Sequence, residues 1–370
     1  MTPGIDRRSL QHFDWVLLGL VTCVLGIGLA NLYSASSPGV ESGLPPEFRR
    51  QMLALGVATI GMLVALVLDY RRLERLAVPV YVGTLLLVAS TLVLAPVTRG
   101  NRSWLIYGPL SLQPAELAKV GLVLAMARYF HRNPPSEIRR VRDLWGPALI
   151  AAGPVGLIVL QRDMGVAVLT MLIAATYLLF VRIPARAWAA LSAAGVVALA
   201  GLWTYVFKGY QKERILDFLD PSRDPLASGY QQIQSRIAVG SGEFFGKGYL
   251  EGTQTQLQFL PTQHSDFAFS VLAEEWGFLG SVTLLAIYFM LLIWGLVVAN
   301  NSKDSFGAML AIGVVGMLFW PAVINVAMVL GLAPVIGVPL PLVSYGGSQL
   351  LANLVAVGLL MNVSMRRYIF

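Results

Sequence analysis

The sequence predicts an all-α polytopic membrane protein with about ten transmembrane helices and a large extracytoplasmic loop between the seventh and eighth. Three observations predict this fold. The 370 residues are 56% hydrophobic and only 13% charged, whereas soluble domains carry about 25% charged residues. The mean hydropathy is +0.68. Apolar runs of roughly 20 residues, enough to cross a hydrocarbon core of about 30 Å, recur along the chain. We therefore treat residues 1–370 as one integral membrane domain.

Ten apolar runs are the predicted spans. They cover residues 14–34, 51–68, 76–97, 113–130, 145–161, 164–181, 186–206, 266–299, 306–330 and 348–365. The first run follows Arg7 and Arg8 but is too long for the apolar core of a signal peptide, so we interpret it as an uncleaved helix.

Two spans have internal irregularities. The fifth is expected to be broken by its prolines and glycines, which are Pro147, Gly153, Pro154 and Gly156. The eighth is too long for one straight span. Either it breaks at Gly277 or Gly280, or it projects beyond the bilayer.

Basic residues favour one orientation, because cytoplasmic loops carry an excess of Lys and Arg. The two termini and the connections on the same side hold most of them. The short loops on the other side hold only Arg49, Arg50, Arg99, Arg102 and Arg162. We therefore expect both termini in the cytoplasm, which requires an even number of spans. The long loop, residues 207–265, then lies outside, and its apolar residues at helical spacings predict short amphipathic helices on the membrane or the protein.

Four segments on the predicted outer side carry polar residues close to the apolar runs. They are residues 99–119, 161–163, 261–267 and 337–348. Ionisable groups near hydrocarbon are costly, so they are functional candidates by default. We expect one outward-facing polar cavity. Its candidate residues are Arg99, Arg102, Trp104, Glu116, Lys119, Arg162, Asp163, His264, Asp266 and Ser344.

Candidates in the first two segments also have structural interpretations. Glu116 and Lys119 are three residues apart and share a helix face, so they can form a structural ion pair. Arg162 and Asp163 can cap a helix and fix a loop. Trp104 can be an aromatic anchor at the membrane interface.

Candidates in the third and fourth segments have structural interpretations too. His264 can act as a hydrogen-bonding neighbour, and Asp266 can cap the helix that follows it. Ser344 lies in a stretch whose Gly and Pro content predicts irregular backbone. Such backbone is tolerated at membrane depth only where protein buries it or where it lines a wet cavity.

Several function classes are not indicated. The formal charge of +7 is scattered over loops and forms no stripe that would bind nucleic acid. The sequence has no phosphate-binding glycine loop of the Walker type, no G-x-S-x-G, no H-E-x-x-H and no cluster of metal ligands. Cys23 is the single cysteine, so no disulfide can form within the chain.

The polar segments resemble those of the SEDS (shape, elongation, division and sporulation) family, polytopic proteins of bacterial wall synthesis. The matching motifs are RSW at 102–104, QPAELAK at 113–119, QRDMG at 161–165, PTQHSDF at 261–267 and PLPLVSYGGS at 339–348. The similarity runs in order from the first span to the last and is greatest to the elongation branch. QRDMG and the final SQ after SYGG depart from the usual QPDLG and SS, but neither change removes a charged candidate.

The resemblance implies a peptidoglycan glycosyltransferase of the cytoplasmic membrane that joins lipid II units into glycan strands on the outer face. It also implies a class B penicillin-binding protein as the crosslinking partner. By this resemblance Asp266 is the general base, and Arg99, Arg102 and Lys119 hold the pyrophosphate. A divalent cation, Mg²⁺ or Mn²⁺, is an alternative for that role, with Asp266 or Glu116 as ligand.

Two other functions account for part of the sequence pattern. A lipid II flippase also uses broken helices and midplane polar groups, but it should need polar lining from both faces, and the candidates all face outward. A scaffold for the penicillin-binding protein would leave the converging charges without a purpose.

Overall fold

The computed structural model describes residues 12–40, 43–68, 70–97, 101–107, 110–134, 141–180, 185–201 and 228–366, with isolated positions between 204 and 220. Its helices are α1 (Trp15–Ser36), α2 (Pro46–Val67), α3 (Tyr70–Leu94), α4 (Pro114–Arg132), α5 (Trp145–Leu160), α6 (Met164–Thr176), α7 (Ala185–Gly201), α8 (Ser228–Ser241), α9 (Thr253–Gln256), α10 (Ala268–Asn300), α11 (Ser305–Val329) and α12 (Gly347–Arg366). A small antiparallel hairpin, β1 (Leu105–Tyr107) and β2 (Leu110–Leu112), precedes α4.

Each of the ten predicted spans coincides with a helix, and the prediction of an all-α multi-span membrane protein is confirmed. The corresponding helices are α1 to α7 and α10 to α12. Within the described residues, α1, α2, α3, α10, α11 and α12 are long and apolar enough to cross a membrane, and α5 and α6 are shorter apolar helices. Helices α11 and α12 are largely buried by their neighbours, whereas α2 and α3 expose most of their apolar side chains.

The predicted break in the fifth span is wrong, because α5 is continuous from Trp145 to Leu160. Pro154 has no N–H to donate to the carbonyl of Ile150, four residues earlier. The hydroxyl of Tyr81 in α3 donates to that carbonyl instead, at 2.6 Å. Gly153 leaves room for this contact, since a Cβ there would lie 2.5 Å from the Tyr81 hydroxyl. A partner from another helix thus restores the hydrogen bond that the proline removes.

The expected irregularity in the eighth span lies at Gly277, where α10 breaks with φ 65° and ψ −160°. The segment 243–248, which follows α8, completes the hydrogen bonding on both sides of this break. The bonds are Phe278 N to Glu243 O at 2.9 Å, Leu279 N to Phe244 O at 3.1 Å, Lys247 N to Glu274 O at 3.0 Å and Gly248 N to Glu275 O at 3.1 Å. These four bonds pair backbone groups on both sides of the break, as backbone at membrane depth requires.

The helix termini and the polar candidate residues lie at opposite ends of the bundle. At one end, the buried Asp14 before α1 accepts hydrogen bonds from Trp294 Nε1 at 3.0 Å and from the hydroxyl of Ser364. Asn362 near the end of α12 donates there to the carbonyls of Ala65 and Leu66, each at 2.8 Å. This end therefore holds the first and last helix termini. The polar candidate residues lie at the opposite end.

Candidate functional site

The first, second and fourth polar segments meet at Gln113, just before α4. Its backbone N–H donates to Ser348 Oγ at 2.9 Å, and its side chain Nε2 donates to Asp163 Oδ2 at 3.0 Å. Gly165 packs so closely on the fourth segment that a Cβ there would lie 2.7 Å from the carbonyl oxygen of Ile336. Three connections that are distant in sequence are thus in direct contact.

The third and fourth segments are joined by backbone and side chains. The N–H of Tyr345 donates to the carbonyl of His264 at 2.9 Å, and the two rings pack edge to face with centroids 5.6 Å apart. Asp266 Oδ2 lies 3.6 Å from the position that a Cβ on Gly337 would occupy. Gly337 has φ +72°, a conformation that glycine adopts without strain. The space beside the Asp266 carboxylate is therefore bounded by bare backbone.

Asp266 lies at the junction between a tight turn and α10. Its N–H donates to the carbonyl of Thr262 at 3.2 Å, and Thr262 itself has φ +54°. The N-cap of α10 is Phe267, one residue further on. The side chain of Asp266 is half-buried, whereas that of Phe267 is fully buried. This arrangement holds the carboxylate at the mouth of the helix bundle rather than inside it.

Glu116 and Lys119 form a closed ion pair in the first turns of α4. Lys119 Nζ lies 2.8 Å from Oε1 and 2.7 Å from Oε2 of Glu116, and both side chains are buried. Pro114 begins the helix, and a carboxylate in the first turn suits the positive end of the helix dipole. The structural interpretation of this pair and a role in binding an anion are compatible, because the ammonium is already held in place.

Asp163 belongs to the same electrostatic group. It is the N-cap of α6, and its Oδ1 accepts the N–H of Val166 at 3.3 Å. Burial raises the pKa of the Asp163 carboxyl, and the nearby negative charge of Glu116 raises it further. The N–H of Val166 and the ammonium of Lys119 oppose this rise. The carboxyl therefore serves both the helix cap and the charge balance around Lys119.

Arginines in the described part of the site lie at its edge. Arg102 is exposed and donates from Nη1 to the carbonyl of Leu92 at 3.1 Å. Arg162 is exposed and has φ +66°. Trp104 is half-buried just before β1. Arg99 lies outside the described residues.

Ser344, the candidate in the fourth segment, is buried. Its hydroxyl accepts the N–H of Leu340 at 2.9 Å, and its own N–H donates to the carbonyl of Leu340 at 2.9 Å. Its carbonyl accepts Gln51 Nε2 at 3.4 Å. These bonds stabilise the irregular backbone between α11 and α12, so in this structure Ser344 holds the shape of the site.

Among the residues that the structure describes, no three His, Cys, Asp or Glu side chains gather where they could hold a metal ion. The carboxylates that lie at the site are Glu116, Asp163 and Asp266. One or two carboxylates together with substrate phosphates are a common arrangement for Mg²⁺, and these residues fit such a shared site better than a protein-only one.

Comparison with known proteins identifies the group to which this architecture belongs. The family model described as "cell cycle protein", which covers FtsW, RodA and SpoVE, matches residues 14–369. The chain belongs to the SEDS family. Peptidoglycan glycosyltransferase MrdB of Escherichia coli (strain K12) is 35% identical over 99% of this chain and 98% of its own length.

Other SEDS relatives and solved structures agree in length and fold. Peptidoglycan glycosyltransferase RodA of Treponema pallidum (strain Nichols) is 30% identical over 97% of this chain and 99% of its own length. The crystal structure of the rod shape determining protein RodA of Thermus thermophilus superimposes with a TM-score of 0.72 at 34% identity, covering 96% of this chain and 98% of that one. A chain from a peptidoglycan synthase complex reaches a TM-score of 0.82 at 36% identity, with the same coverage.

Two polar residues at the site are not among the predicted candidates. Gln113, inside one of the matching motifs, joins three segments. Asn325 lies inside the apolar run of α11, and an asparagine in such a run is itself a signal. Its side chain contacts the third and fourth segments.

Proposed function

We propose that this SEDS protein is a peptidoglycan glycosyltransferase that polymerises lipid II at the outer face of the cytoplasmic membrane during cell elongation. Relatives with this activity in their names match nearly the whole chain at 30% and 35% identity. Coverage close to the full length on both sides supports transfer of the enzyme class. The substrate is inferred from the resemblance to the family, and the membrane face from the distribution of Lys and Arg.

The reaction we propose is a single displacement that inverts the anomeric carbon. The 4-hydroxyl of the acceptor sugar attacks the anomeric carbon of the lipid-linked donor strand, the bond to the pyrophosphate breaks, and lipid pyrophosphate leaves. The hydroxyl proton must go to a base. A positioned general base contributes about 10²–10⁴-fold to such a step.

Asp266 is the proposed base, and its geometry is the observation that carries this proposal. It is a half-buried carboxylate where the third and fourth polar segments meet, and Oδ2 lies 3.6 Å from the position that a Cβ on Gly337 would occupy. Because Gly337 has no side chain, we propose that a sugar hydroxyl approaches the carboxylate from this side. His264 lies beside the same junction and supports its backbone through Tyr345.

The leaving pyrophosphate needs positive charge. Lys119, fixed by Glu116 at 2.7 Å, and Arg102 and Arg162 at the exposed edge are the cations that we assign to it, together with Arg99. Charge-assisted hydrogen bonds to phosphate are the strong class of hydrogen bond. Mg²⁺ or Mn²⁺ is the proposed alternative or addition, held by the substrate phosphates and by Asp266 or Glu116.

Lining of the sugar site is assigned to Trp104, Asp163 and Ser344. Trp104 is half-buried and offers an aromatic face on which a sugar ring can stack. Asp163 balances the charge near Lys119. Ser344 fixes the loop on which the pocket wall depends.

The proposed orientation rests on the distribution of Lys and Arg, which favours cytoplasmic termini. Asp14 and Ser364 contact each other at the end of the bundle opposite the site. Cytoplasmic termini would therefore place Asp266 on the outer side.

A class B penicillin-binding protein is the proposed partner. A chain similar to this one, with a TM-score of 0.82, comes from a peptidoglycan synthase complex that coordinates polymerization and crosslinking. Glycan strands made by a polymerase require a transpeptidase to crosslink them.

The decisive experiment incubates the purified protein with lipid II and Mg²⁺ or Mn²⁺, with and without its cognate class B partner, whose transpeptidase is blocked. Asp266→Ala runs beside the wild type. We expect glycan ladders from the wild type only. Ladders of normal yield from Asp266→Ala would reject the assignment of the base. Lipid II that crosses liposome membranes, with no ladder under any condition, would indicate a flippase.

A further inference from the structure

Asn325 is a buried polar side chain in the apolar helix α11. Its neighbours in sequence are Ala322, Val323, Ile324 and Val326, and it has 0% exposure. A buried amide in such surroundings is costly unless its donors are satisfied. The hydrogen bonds of the Asn325 side chain therefore indicate its role.

Both amide hydrogens of Asn325 are used on backbone carbonyls outside α11. Nδ2 donates to the carbonyl of Asp266 at 2.7 Å and to the carbonyl of Val338 at 2.6 Å. The first carbonyl belongs to the residue we assign as general base. The second belongs to the residue after Gly337, which bounds the space beside the Asp266 carboxylate. One planar group thus fixes the separation of the two backbone segments.

From these contacts we infer that Asn325 is a positioning residue for Asp266, setting the distance between its carboxylate and the backbone at Gly337 against which the acceptor sugar is held. The inference rests on the proposed role of Asp266. Asn325 does not reach the reacting atoms. Its effect passes through two carbonyls that lie outside the helices, because Asp266 precedes α10 and Val338 lies in the irregular segment before α12.

The size of the effect follows from geometry. Reactions held in a near-attack arrangement are sensitive to small displacements, and a shift of about 1 Å can cost about 10²-fold in rate. Replacing Asn325 by alanine removes both donors and leaves two carbonyls without their partner. We expect these segments to separate, which displaces the Asp266 carboxylate while leaving the lipid and pyrophosphate contacts in place.

The chain offers a matched control in Asn362. It has 0% exposure, lies in an apolar helix, and donates from Nδ2 to the carbonyls of Ala65 and Leu66, each at 2.8 Å. Its position at the opposite end of the bundle separates it from Asp266. Truncating Asn362 therefore reproduces the loss of a buried amide bridge without touching the proposed base.

The test compares Asn325→Ala and Asn362→Ala in purified form, with lipid II polymerisation normalised to the folded fraction. We expect both variants to lose thermal stability. We expect kcat to fall about 10–100-fold for Asn325→Ala, with KM for lipid II within about twofold, and kcat to stay unchanged for Asn362→Ala. Asn325→Gln retains both donors on a longer side chain, so it should fold better than Asn325→Ala and still lose kcat.

Three outcomes distinguish the positioning role of Asn325 from the assignment of Asp266 as the base. Equal kcat values for Asn325→Ala, Asn325→Gln and Asn362→Ala, with Asp266→Asn inactive, would overturn the positioning role and leave the base assignment intact. Full activity of Asp266→Asn would overturn the base assignment itself. A lower kcat at unchanged KM, confined to the Asn325 variants, would support the inference.

Discussion

Glu274 and Asp266 are two carboxylates at the same end of α10 with opposite surroundings. Glu274 has 0% exposure and accepts hydrogen bonds from Lys247 Nζ at 2.8 Å, from the N–H groups of Gln254 at 2.9 Å and Thr255 at 3.1 Å, and from the Thr255 hydroxyl at 3.0 Å. Asp266 is half-buried at the mouth of the bundle and faces the backbone of Gly337.

This difference in burial predicts different roles for the two carboxylates. Removing a fully buried carboxylate that several fixed donors hold leaves those donors unpaired. The half-buried Asp266 is the carboxylate that we propose a substrate reaches. We therefore expect substitutions at Glu274 to change stability and substitutions at Asp266 to change catalysis.

The largest expected effect is on catalysis, from Asp266→Asn. The amide cannot act as a base, so the rate of lipid II polymerisation should fall about 10²–10⁴-fold while the melting temperature stays close to that of the wild type. A glycan-ladder assay and a thermal-shift assay in detergent measure the two quantities. Asp304→Asn is the matched control, because Asp304 caps α11 through Gly307 N at 2.7 Å, away from the site, and should retain the wild-type rate. A large loss of stability in Asp266→Asn would remove the contrast with Glu274.

Glu274→Gln should show the reverse pattern. The amide places donors opposite the N–H groups of Gln254 and Thr255 and leaves Lys247 without its ion pair. We expect the free energy of unfolding to fall by about 2–4 kcal/mol. Activity per folded molecule should change much less than in Asp266→Asn. Denaturation in mixed micelles measures the loss.

Glu251, an exposed glutamate between α8 and α9, provides the comparison for this prediction. Glu251→Gln should leave the stability within about 0.5 kcal/mol of the wild type, as is usual for surface substitutions. If the two glutamine variants unfold at the same denaturant concentration, burial of Glu274 has no structural consequence and the comparison fails.

Gly277→Ala tests the break that brings Glu274 to its partners. Alanine at φ +65° is strained, and its Cβ would collide with the backbone nitrogen of Gly246. We expect a loss of about 2 kcal/mol or more. Gly83→Ala in α3 should be neutral, since a Cβ there meets nothing within 4 Å. Equal melting temperatures for the two variants would mean that the break does not require glycine.

Asp163 gives a smaller effect, which is on the pH dependence of stability. Its pKa in the folded protein is raised above the usual 3.8, so the folded state binds the proton more tightly than the unfolded state. The stability from the neutral form is complete below about pH 3.8 and is lost as the pH rises through the folded pKa. Asp163→Asn cannot ionise, so its melting temperature should decline less than that of the wild type over this interval. Parallel curves for the two proteins would contradict the raised pKa.

Hydropathy was sufficient to place a helix in each of the ten predicted runs, because most of them are apolar over about the length that a bilayer requires. The continuity of α5 was not predictable. It depends on Tyr81, which lies far from Ile150 in sequence and donates to the carbonyl that Pro154 leaves without a partner. Sequence patterns show which hydrogen bond a proline removes, but not which side chain replaces it.

The candidate site was predictable in composition and not in geometry. Polar residues at span borders stand out because charges near hydrocarbon are expensive, and this criterion selected Asp266 and the Glu116–Lys119 pair. The proximity of Asp266 to Gly337 requires the tertiary fold. Asn325 was overlooked because its importance lies in the two carbonyls it contacts rather than in its own charge.

The backbone of 243–248 completes the broken helix α10, and this has a consequence for how the region opens. The amide hydrogens of Lys247 and Gly248 are bound on one side of the break and those of Phe278 and Leu279 on the other. None of the four can be released unless the segment separates from α10. In deuterium exchange these amides should therefore lose protection together, at one rate, as a single cooperative unit. A stretch that hydropathy marks as a loop thus completes the membrane helix α10, which comes later in the chain.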